Sequence, residues 1–237
     1  TVFTQQGGAG MAQQPAAGPN VAGIEKVKDN LYVVTGGGGN TAVFVTAIGT
    51  DCGKTHVSAA ILRELTAQRR PALALKPLMS GYSSTALETS DAGRLLLAMG
   101  KPVNDAAVDE ICWKHFTEWS APNVAARRAG IALDYAGLLD FARTRLAHHD
   151  GATLVEGAGG VMSPLTDTHT NIDLMADLRL PVLLMASNYL GAVSHTLTAL
   201  EALETRGLEI AAVTVTQTLP NAGLAAPLIE ELGRWTK

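Results

Sequence analysis

Five short and nearly continuous apolar runs recur along the chain after residue 40, and longer segments with helical periodicity separate them. A strand that is apolar on both faces must be covered on both faces, and helical crossovers between successive strands make those strands parallel. The predicted strands are Ala42–Thr46, Ala72–Lys76, Ala152–Glu156, Pro181–Ala186 and Ile210–Val215. The predicted helices are Lys54–Gln68, Asp91–Met99, Tyr135–His149, Ala192–Arg206 and Leu224–Trp235. The pattern therefore predicts an α/β fold with a doubly wound, mainly parallel sheet.

The composition agrees with a packed domain and narrows the classes of partner. The chain has 237 residues, of which 47% are hydrophobic and 17% charged, and its net charge is −4. Lys and Arg are dispersed, so no basic surface for nucleic acid is indicated. No apolar run is long enough for a membrane span, and the two cysteines, Cys52 and Cys112, form no metal-ligand motif. We expect a soluble, cytoplasmic protein that binds neither nucleic acid nor membrane.

Residues 1–40 differ in composition from the remainder of the chain. The stretch from Gln5 to Gly23 is mostly Gln, Gly, Ala and Pro, and four glycines follow a short apolar run at Asn30–Thr35. Such a composition buries too little apolar surface to repay its ordering entropy. We expect residues 1–40 to form a leader or linker with one short strand, and residues 41–237 to form the α/β domain.

The segment at residues 43–55 is the strongest indication of chemistry. It consists of an apolar strand, a glycine-containing turn and Gly-Lys-Thr at the start of a helix. Backbone N–H groups of such a turn converge on phosphate oxygens, Lys54 can reach the terminal phosphates, and Thr55 offers a hydroxyl to Mg²⁺. The spacing departs from Gly-x4-Gly-Lys-Thr because Ala47 and Ile48 precede Gly49. The segment predicts a variant phosphate-binding loop; an ordinary strand-turn-helix with an exposed lysine is the alternative.

Two further strand ends carry polar residues. Ligands in open α/β sheets lie beyond the carboxyl ends of strands, so Lys76 of Lys-Pro-Leu-Met-Ser-Gly is placed to neutralise phosphoryl oxygens or a substrate anion; a solvated lysine at a strand end is the alternative. Glu156 closes another strand and precedes the glycine-rich residues 157–160, so it is a candidate Mg²⁺ ligand. Asp91, at a helix start, is a candidate second ligand, although the helix dipole alone also explains an acid there.

The last strand-helix junction before residue 200 offers backbone donors. Gly191 and the first N–H groups of the following helix could capture a carboxylate. His195, inside that helix, is interpreted as a packing or capping residue.

The ordered set of segments resembles dethiobiotin synthetase over about Thr41 to Thr218. The resemblance rests on Gly49-Thr-Asp-Cys-Gly-Lys-Thr55, Lys76-Pro-Leu-Met-Ser-Gly81, Ser90-Asp-Ala92, Val155-Glu-Gly-Ala-Gly-Gly160 and Leu190-Gly-Ala-Val-Ser-His195. It implies a P-loop enzyme that uses ATP and Mg²⁺ to close the ureido ring of 7,8-diaminopelargonic acid with CO₂ or bicarbonate. The family proceeds through an N-carbamate and a carbamic-phosphoric anhydride and releases dethiobiotin, ADP and phosphate.

The resemblance also implies a role for each matching residue. Lys54 and Lys76 would stabilise the transferring phosphoryl group, with Thr50, Asp51 and Ser80 beside the reacting nitrogen and carbamate. The implied nucleotide-binding residues are Gly49, Thr50, Asp51, Cys52, Gly53, Lys54, Thr55, Glu156 and Gly159. The implied Mg²⁺ ligands are Thr55, Asp91 and Glu156. The implied substrate-binding residues are Ser80, Gly159, Gly191, Ala192 and Ser194, the last three acting from a second subunit of a homodimer.

Some positions depart from the family pattern and leave alternatives open. Ala47 replaces the first loop glycine, and Thr216 and Gln217 stand where the family has an Asn that contacts the base. The chain also ends before the family's C-terminal strand, so the base preference and the competence of the chain stay open. A P-loop switch ATPase of the partitioning type is one alternative, although Gly49 stands where that class has a second lysine. A folded but inactive relative is the other.

Overall fold

The computed structural model describes residues 21–28, 31–36, 42–217 and 225–235. Two units are distinct, with a boundary between Gly39 and Asn40. In the first unit, β1 (Val21–Lys28) and β2 (Leu31–Gly36) pair as an antiparallel hairpin. This hairpin stands where the sequence predicted a single short strand at Asn30–Thr35.

The second unit contains a five-stranded parallel sheet with helices between the strands. Its elements before residue 130 are β3 (Ala42–Ala47), α1 (Lys54–Ala67), β4 (Ala72–Leu75), β5 (Leu78–Ser80), a 3-10 turn (Leu87–Thr89), α2 (Asp91–Ala98), α3 (Asp105–Ile111), β6 (Lys114–Phe116) and α4 (Pro122–Arg128). The later elements are α5 (Tyr135–Ala147), β7 (Ala152–Glu156), α6 (Asn171–Leu178), β8 (Val182–Ser187), α7 (Ala192–Thr205), β9 (Ile210–Thr216) and α8 (Ala225–Trp235). All five predicted strands and all five predicted helices are confirmed, with bounds that differ by one or two residues.

The strand order of the main sheet is β4-β7-β3-β8-β9, and every pairing is parallel. On one side of β3 the chain first forms the edge strand β4 and then inserts β7 between β3 and β4, and on the other side it adds β8 and then β9. β3 therefore lies at the point where the winding reverses, and the crevice for ligands in such sheets opens beyond its carboxyl end. The predicted doubly wound fold is confirmed.

The core lies against the central strands. Phe44 and Val45 of β3, Val155 of β7 and Leu184 of β8 are fully buried, as the unbroken apolar runs require. Apolar side chains of the flanking helices, such as Leu62 of α1, complete this core. In the described part of the chain, no helix combines the length and the apolar character that crossing a membrane requires.

Several elements were absent from the sequence-based expectation. β5 and β6 form a small parallel sheet of their own beside the main one. Three-residue strands leave no periodic signal, and α3, α4 and α6 span only two turns each. The predicted strand Ala72–Lys76 ends one residue early, because Lys76 turns into the site and Pro77 follows it.

Candidate active site

The loop at residues 48–53 links the end of β3 to the start of α1. Gly53 caps α1 with a positive φ of 81°, and Asp51 also has a positive φ, of 57°. These left-handed residues fold the loop back over the helix N-terminus, whose free N–H groups favour an anion. Thr216 fastens the loop to the sheet, because its hydroxyl donates hydrogen bonds to the carbonyl oxygens of Cys52 (2.9 Å) and Ala186 (3.1 Å).

Four polar side chains from four elements meet beside this loop. The hydroxyl of Thr55 donates to Asp91 Oδ1 at 2.9 Å and to Glu156 Oε1 at 2.7 Å. The Lys76 ammonium lies 2.7 Å from Glu156 Oε1 and 2.8 Å from Asp91 Oδ2. Lys76 also donates to the carbonyl oxygen of Gly157 at 3.3 Å. Lys76 and Glu156 are buried, whereas the Asp91 side chain is 40% exposed.

The second lysine of the site has a different environment. Lys54 opens α1 and is buried, and its ammonium donates to the carbonyl oxygen of Gly49 at 3.4 Å. Burial lowers the pKa of Lys54, and the positive charge of Lys76 lowers that pKa further. An anion bound in the loop would raise the pKa of Lys54 and so offset both effects, because it supplies the counter-charge that Lys54 lacks.

The carboxylates set the charge of Lys76. Burial alone would lower the pKa of Lys76, but Glu156 and Asp91 outweigh burial and hold it above the ordinary value. Burial also disfavours the charged form of Asp91 and so raises its pKa. Lys76 and the hydrogen bond from Thr55 outweigh burial, and the pKa of Asp91 lies below its usual value. The cluster is therefore an ammonium held between two carboxylates.

The cluster also meets the requirements of a magnesium ion. Glu156 Oε2 is buried and accepts no hydrogen bond, so it retains an oxygen that a cation could take. Carboxylate and hydroxyl oxygens are the donors that Mg²⁺ prefers, with waters and phosphate oxygens filling its other positions. Among the described residues, no three His, Cys, Asp or Glu side chains converge. A metal here would therefore take two carboxylates, one hydroxyl and non-protein oxygens.

The glycine-rich turn after β7 lies against the phosphate-binding loop. The side-chain amide of Asn171 donates to the carbonyl oxygens of Ala158 (2.6 Å) and Gly160 (2.7 Å). Gly160 approaches the loop so closely that a Cβ there would lie 3.0 Å from the carbonyl oxygen of Ala47. A side chain at residue 160 would therefore crowd the backbone of the loop. The glycine run in the sequence indicated a close approach here, but it did not reveal the role of Asn171.

These elements surround a cavity of about 860 Å³. The predicted site residues that line it are Thr50, Asp51, Gly53, Lys54, Thr55, Lys76, Ser80, Asp91 and Gly159. The predicted residues outside the lining are Gly49, Cys52, Glu156, Gly191, Ala192 and Ser194. Of this second group, Glu156 is connected to the cavity through Thr55 and Lys76. Cys52 is buried, its thiol donates to the carbonyl oxygen of Thr50, and burial raises its pKa, so it is the backbone of Cys52 that belongs to the loop.

The cavity is also lined by Ser80 and by residues that the sequence did not reveal. Ser80 Oγ is buried without a hydrogen-bond partner. Trp119, Arg94 and Ser163 also line the cavity. Their positions follow from packing between distant segments, and no local motif indicated them.

Gly191, Ala192 and Ser194 form the first turn of α7. Gly191 caps this helix with a φ of 97°, and Leu190 before it is completely exposed. His195 is exposed rather than packed in the core, and its Nδ1 lies 2.7 Å from the hydroxyl of Tyr189. His195 is therefore not a core residue, and its contact with Tyr189, three residues before α7 begins, is consistent with the capping alternative.

The main sheet is parallel, and a glycine-containing loop follows the strand at which its winding reverses. Two lysines and a pair of carboxylates lie close to the start of the next helix. Together these features define a P-loop nucleotide-binding enzyme. A family model described as an AAA domain matches residues 41–233. An ATP-dependent dethiobiotin synthetase of Phenylobacterium zucineum is 49% identical over 175 residues, which cover 73% of this chain and 75% of the relative. The enzyme of the same name from Acidiphilium cryptum is 47% identical over 173 residues, covering 73% of this chain and 78% of the relative. The chain belongs to the dethiobiotin synthetase family, and it is an ATP-dependent ligase.

A putative plasmid partition protein of Borrelia burgdorferi bound to AMPPNP is 14% identical, with a TM-score of 0.46 over 84% of each chain. That likeness is too weak to carry an argument.

Proposed function

We propose that this chain closes the ureido ring of 7,8-diaminopelargonic acid with CO₂ or bicarbonate at the expense of ATP. The observation that carries the proposal is that Lys54, Lys76, Thr55 and Asp91 line one cavity, with Glu156 bonded to Thr55 and Lys76 behind them. This group of residues suits a triphosphate, and Ser80, which lines the same cavity, would serve a second reactant. The names of the relatives support dethiobiotin as the product.

The reaction divides into steps that these residues can assist. One amine of the substrate adds to CO₂ and loses a proton, which gives a carbamate. A carbamate oxygen then attacks the γ-phosphorus of ATP, the bond to ADP breaks, and a carbamic-phosphoric anhydride forms. The second amine attacks the carbamoyl carbon, phosphate leaves with the oxygen that joined it to carbon, and the ring closes with loss of a proton.

The two lysines have the central task in the phosphoryl transfer. A carbamate oxygen is a weak nucleophile, so positioning and neutralisation of the γ-phosphate must provide most of the acceleration. The Lys54 ammonium lacks a carboxylate partner among the described contacts and is available to a phosphate oxygen. Lys76, now held by Glu156 and Asp91, would turn from one carboxylate to the phosphoryl oxygens when the cavity fills.

Thr55, Asp91 and Glu156 would hold Mg²⁺. The ion, when bound, neutralises charge on the β- and γ-phosphates. Glu156 has both a free oxygen and a buried position from which it cannot turn to water, which suits a fixed ligand. Asp91 is anchored at the start of α2, where Ser90 accepts a hydrogen bond from the Gly93 N–H at 3.0 Å.

The diamine would occupy the Ser80 side of the cavity. Thr50 and Asp51 of the loop and Gly159 of the glycine turn border the same space and would contact the reacting nitrogen and the carbamate. Asp51 carries a carboxylate on a left-handed residue, a conformation that Asp tolerates better than most side chains. The loop would thus bring the Asp51 carboxylate towards an ammonium group of the diamine.

We further propose that the active unit is a homodimer in which Gly191, Ala192 and Ser194 bind the substrate carboxylate from the second subunit. The N-terminus of α7 favours an anion, although the Ala192 N–H donates to the carbonyl oxygen of Tyr189 at 3.1 Å and would have to turn from it, and Leu190 beside it exposes its whole side chain. Leu190→Asp should shift the chain from dimer to monomer in sedimentation and raise the KM for the diamine. A variant that stays dimeric with an unchanged KM would refute this assignment.

The function is tested by phosphate release from ATP in mixtures that lack one component at a time. We expect release only when Mg²⁺, bicarbonate and 7,8-diaminopelargonic acid are all present, together with dethiobiotin in the mass spectrum. Release that is indifferent to the diamine would indicate a switch ATPase instead. Nucleotide binding without release would indicate an inactive relative.

A further inference from the structure

Trp119 is the most exposed aromatic residue in the described part of the chain. Its side chain is 84% exposed although it lines the cavity, whereas Trp235 of α8 is 64% exposed and lies outside the cavity lining. An exposed indole is a large apolar surface, and at the edge of a cavity it marks a place where a ligand is covered. Nothing in the proposed phosphoryl transfer uses this side chain.

The backbone around Trp119 fixes the position of the ring. The N–H of Gly81 donates to the carbonyl oxygen of Glu118 at 3.0 Å, and Tyr82 donates to Phe116 at 2.8 Å. The ring lies directly over Gly81, since a Cβ on Gly81 would be 2.5–2.7 Å from three ring atoms. The indole therefore rests on the Gly81 backbone and presents the remainder of its surface outward.

The position of the ring identifies which reactant it faces. Gly81 directly follows Ser80, which lines the cavity and is the residue proposed above to lie beside the carbamate. Thr216, at the position where the family contacts the base, packs against Gly53 and does not line the cavity. Trp119 therefore lies on the side of the diamine rather than on the side of the nucleotide base.

We propose that Trp119 covers the methylene chain of the diamine substrate and makes the enzyme selective for vicinal diamines with a long alkyl substituent. This proposal rests on the proposed function. Phosphate and carbamate are polar, so the alkyl chain is the apolar part of the reactants on this side of the cavity. Cover by a rigid indole removes methylene groups from water at little cost in side-chain entropy.

The test compares three diamines in wild type, Trp119→Ala and Trp119→Phe. The diamines are 7,8-diaminopelargonic acid, octane-2,3-diamine, which keeps the chain and lacks the carboxylate, and butane-2,3-diamine, which lacks both. We expect Trp119→Ala to raise the KM of the first two by roughly tenfold, the effect of exposing one or two methylene groups. The KM of butane-2,3-diamine and the KM of ATP should stay unchanged.

The variants separate the ring from the fold. Trp119→Phe keeps an apolar ring over Gly81 and should recover most of the lost affinity, with kcat within about twofold of wild type. Trp235→Ala, which removes another exposed indole, is the matched control and should leave all KM values unchanged. Equal weakening of all three diamines by Trp119→Ala, or no weakening of any, would overturn the proposal.

A binding measurement provides a readout that does not depend on turnover. The chain has three tryptophans, so the emission of wild type can be compared with that of Trp119→Phe. Octane-2,3-diamine should shift the emission to shorter wavelength in wild type and in Trp235→Phe, but not in Trp119→Phe. If no diamine is converted and none binds, the proposed function itself is wrong; if diamines react normally and the shift persists in Trp119→Phe, only the role of Trp119 is wrong.

Discussion

The two active-site lysines differ in their contacts, and this difference predicts that their replacement has unequal effects on stability. Lys76 lies between the carboxylates of Glu156 and Asp91, within 2.7 and 2.8 Å. Lys54 contacts a single carbonyl oxygen, and burial and the charge of Lys76 lower its pKa. Met replaces either lysine with an apolar side chain of similar length. Both substitutions should abolish turnover, but only Lys76→Met should destabilise the fold.

The magnitude follows from what each substitution leaves behind. Lys76→Met leaves Glu156 buried without a counter-charge, and removing one partner of a buried ion pair costs about 3–5 kcal/mol. We expect the lower end, ~3 kcal/mol, because the Asp91 side chain is 40% exposed and can be rehydrated. Lys54→Met removes a charge that burial already disfavours, so the change should stay within ~1 kcal/mol.

Urea unfolding in the absence of nucleotide measures both effects. With a slope of about 2 kcal/mol per M, Lys76→Met should lower the midpoint by about 1.5 M, and Lys54→Met by less than about 0.5 M. Added Mg²⁺ should restore part of the midpoint in Lys76→Met, because two carboxylates then lack a cation. Equal midpoints for the two variants would refute the assignment of Lys76 as the counter-charge of the cluster.

Two further predictions concern the scaffold. Burial raises the pKa of Asp173, but hydrogen bonds from the Thr170 N–H and hydroxyl and from Arg206 outweigh burial and hold the pKa below its usual value. The contribution of ionised Asp173 to the free energy of unfolding is therefore present above pH ~4 and is lost as the pH falls through the lowered pKa. Asp173→Asn should thus reduce the free energy of unfolding by about 1 kcal/mol at pH 7 and by nothing at low pH, and a difference that persists in acid would contradict this. Gly93→Ala would put a Cβ 1.9 Å from the Leu87 carbonyl oxygen and should cost about 1–3 kcal/mol in thermal unfolding. The matched change Gly233→Ala, in open space on α8, should cost nothing, and equal losses in both variants would argue against the close approach of Gly93 to the Leu87 carbonyl oxygen.

The sequence predicted those parts of the fold that depend on a pattern within one continuous segment of the chain. The strands are uninterrupted apolar runs because both of their faces are covered, and that pattern is visible without the structure. Glu156 ends one such strand, Lys76 directly follows another, and Gly53, Lys54 and Thr55 follow a third. Their convergence then follows from parallel pairing, since the carboxyl ends of parallel strands lie at one edge of the sheet.

The parts that escaped prediction depend on contacts between distant segments. Asn171 supports the glycine turn from a position 11 residues beyond Gly160, and an isolated Asn at a helix start carries no sign of that role. Trp119 meets Gly81 only because β5 and β6 pair, and these three-residue strands have no periodicity to detect. The hydroxyl of Thr216 fastens the loop to β9, a role that the comparison with the family's Asn did not suggest.

In the proposed mechanism, a carbamate oxygen takes the γ-phosphoryl group in the cavity that Lys54 and Ser80 line. The most direct test is a single turnover with ¹⁸O-labelled CO₂, 7,8-diaminopelargonic acid and unlabelled Mg-ATP, followed by mass spectrometry of the released phosphate. We expect one ¹⁸O atom in each released phosphate, because the carbamate oxygen that attacks phosphorus stays bonded to phosphorus when the ring closes and phosphate leaves. Phosphate without ¹⁸O, released while dethiobiotin forms, would mean that water took the phosphoryl group and would contradict the mechanism.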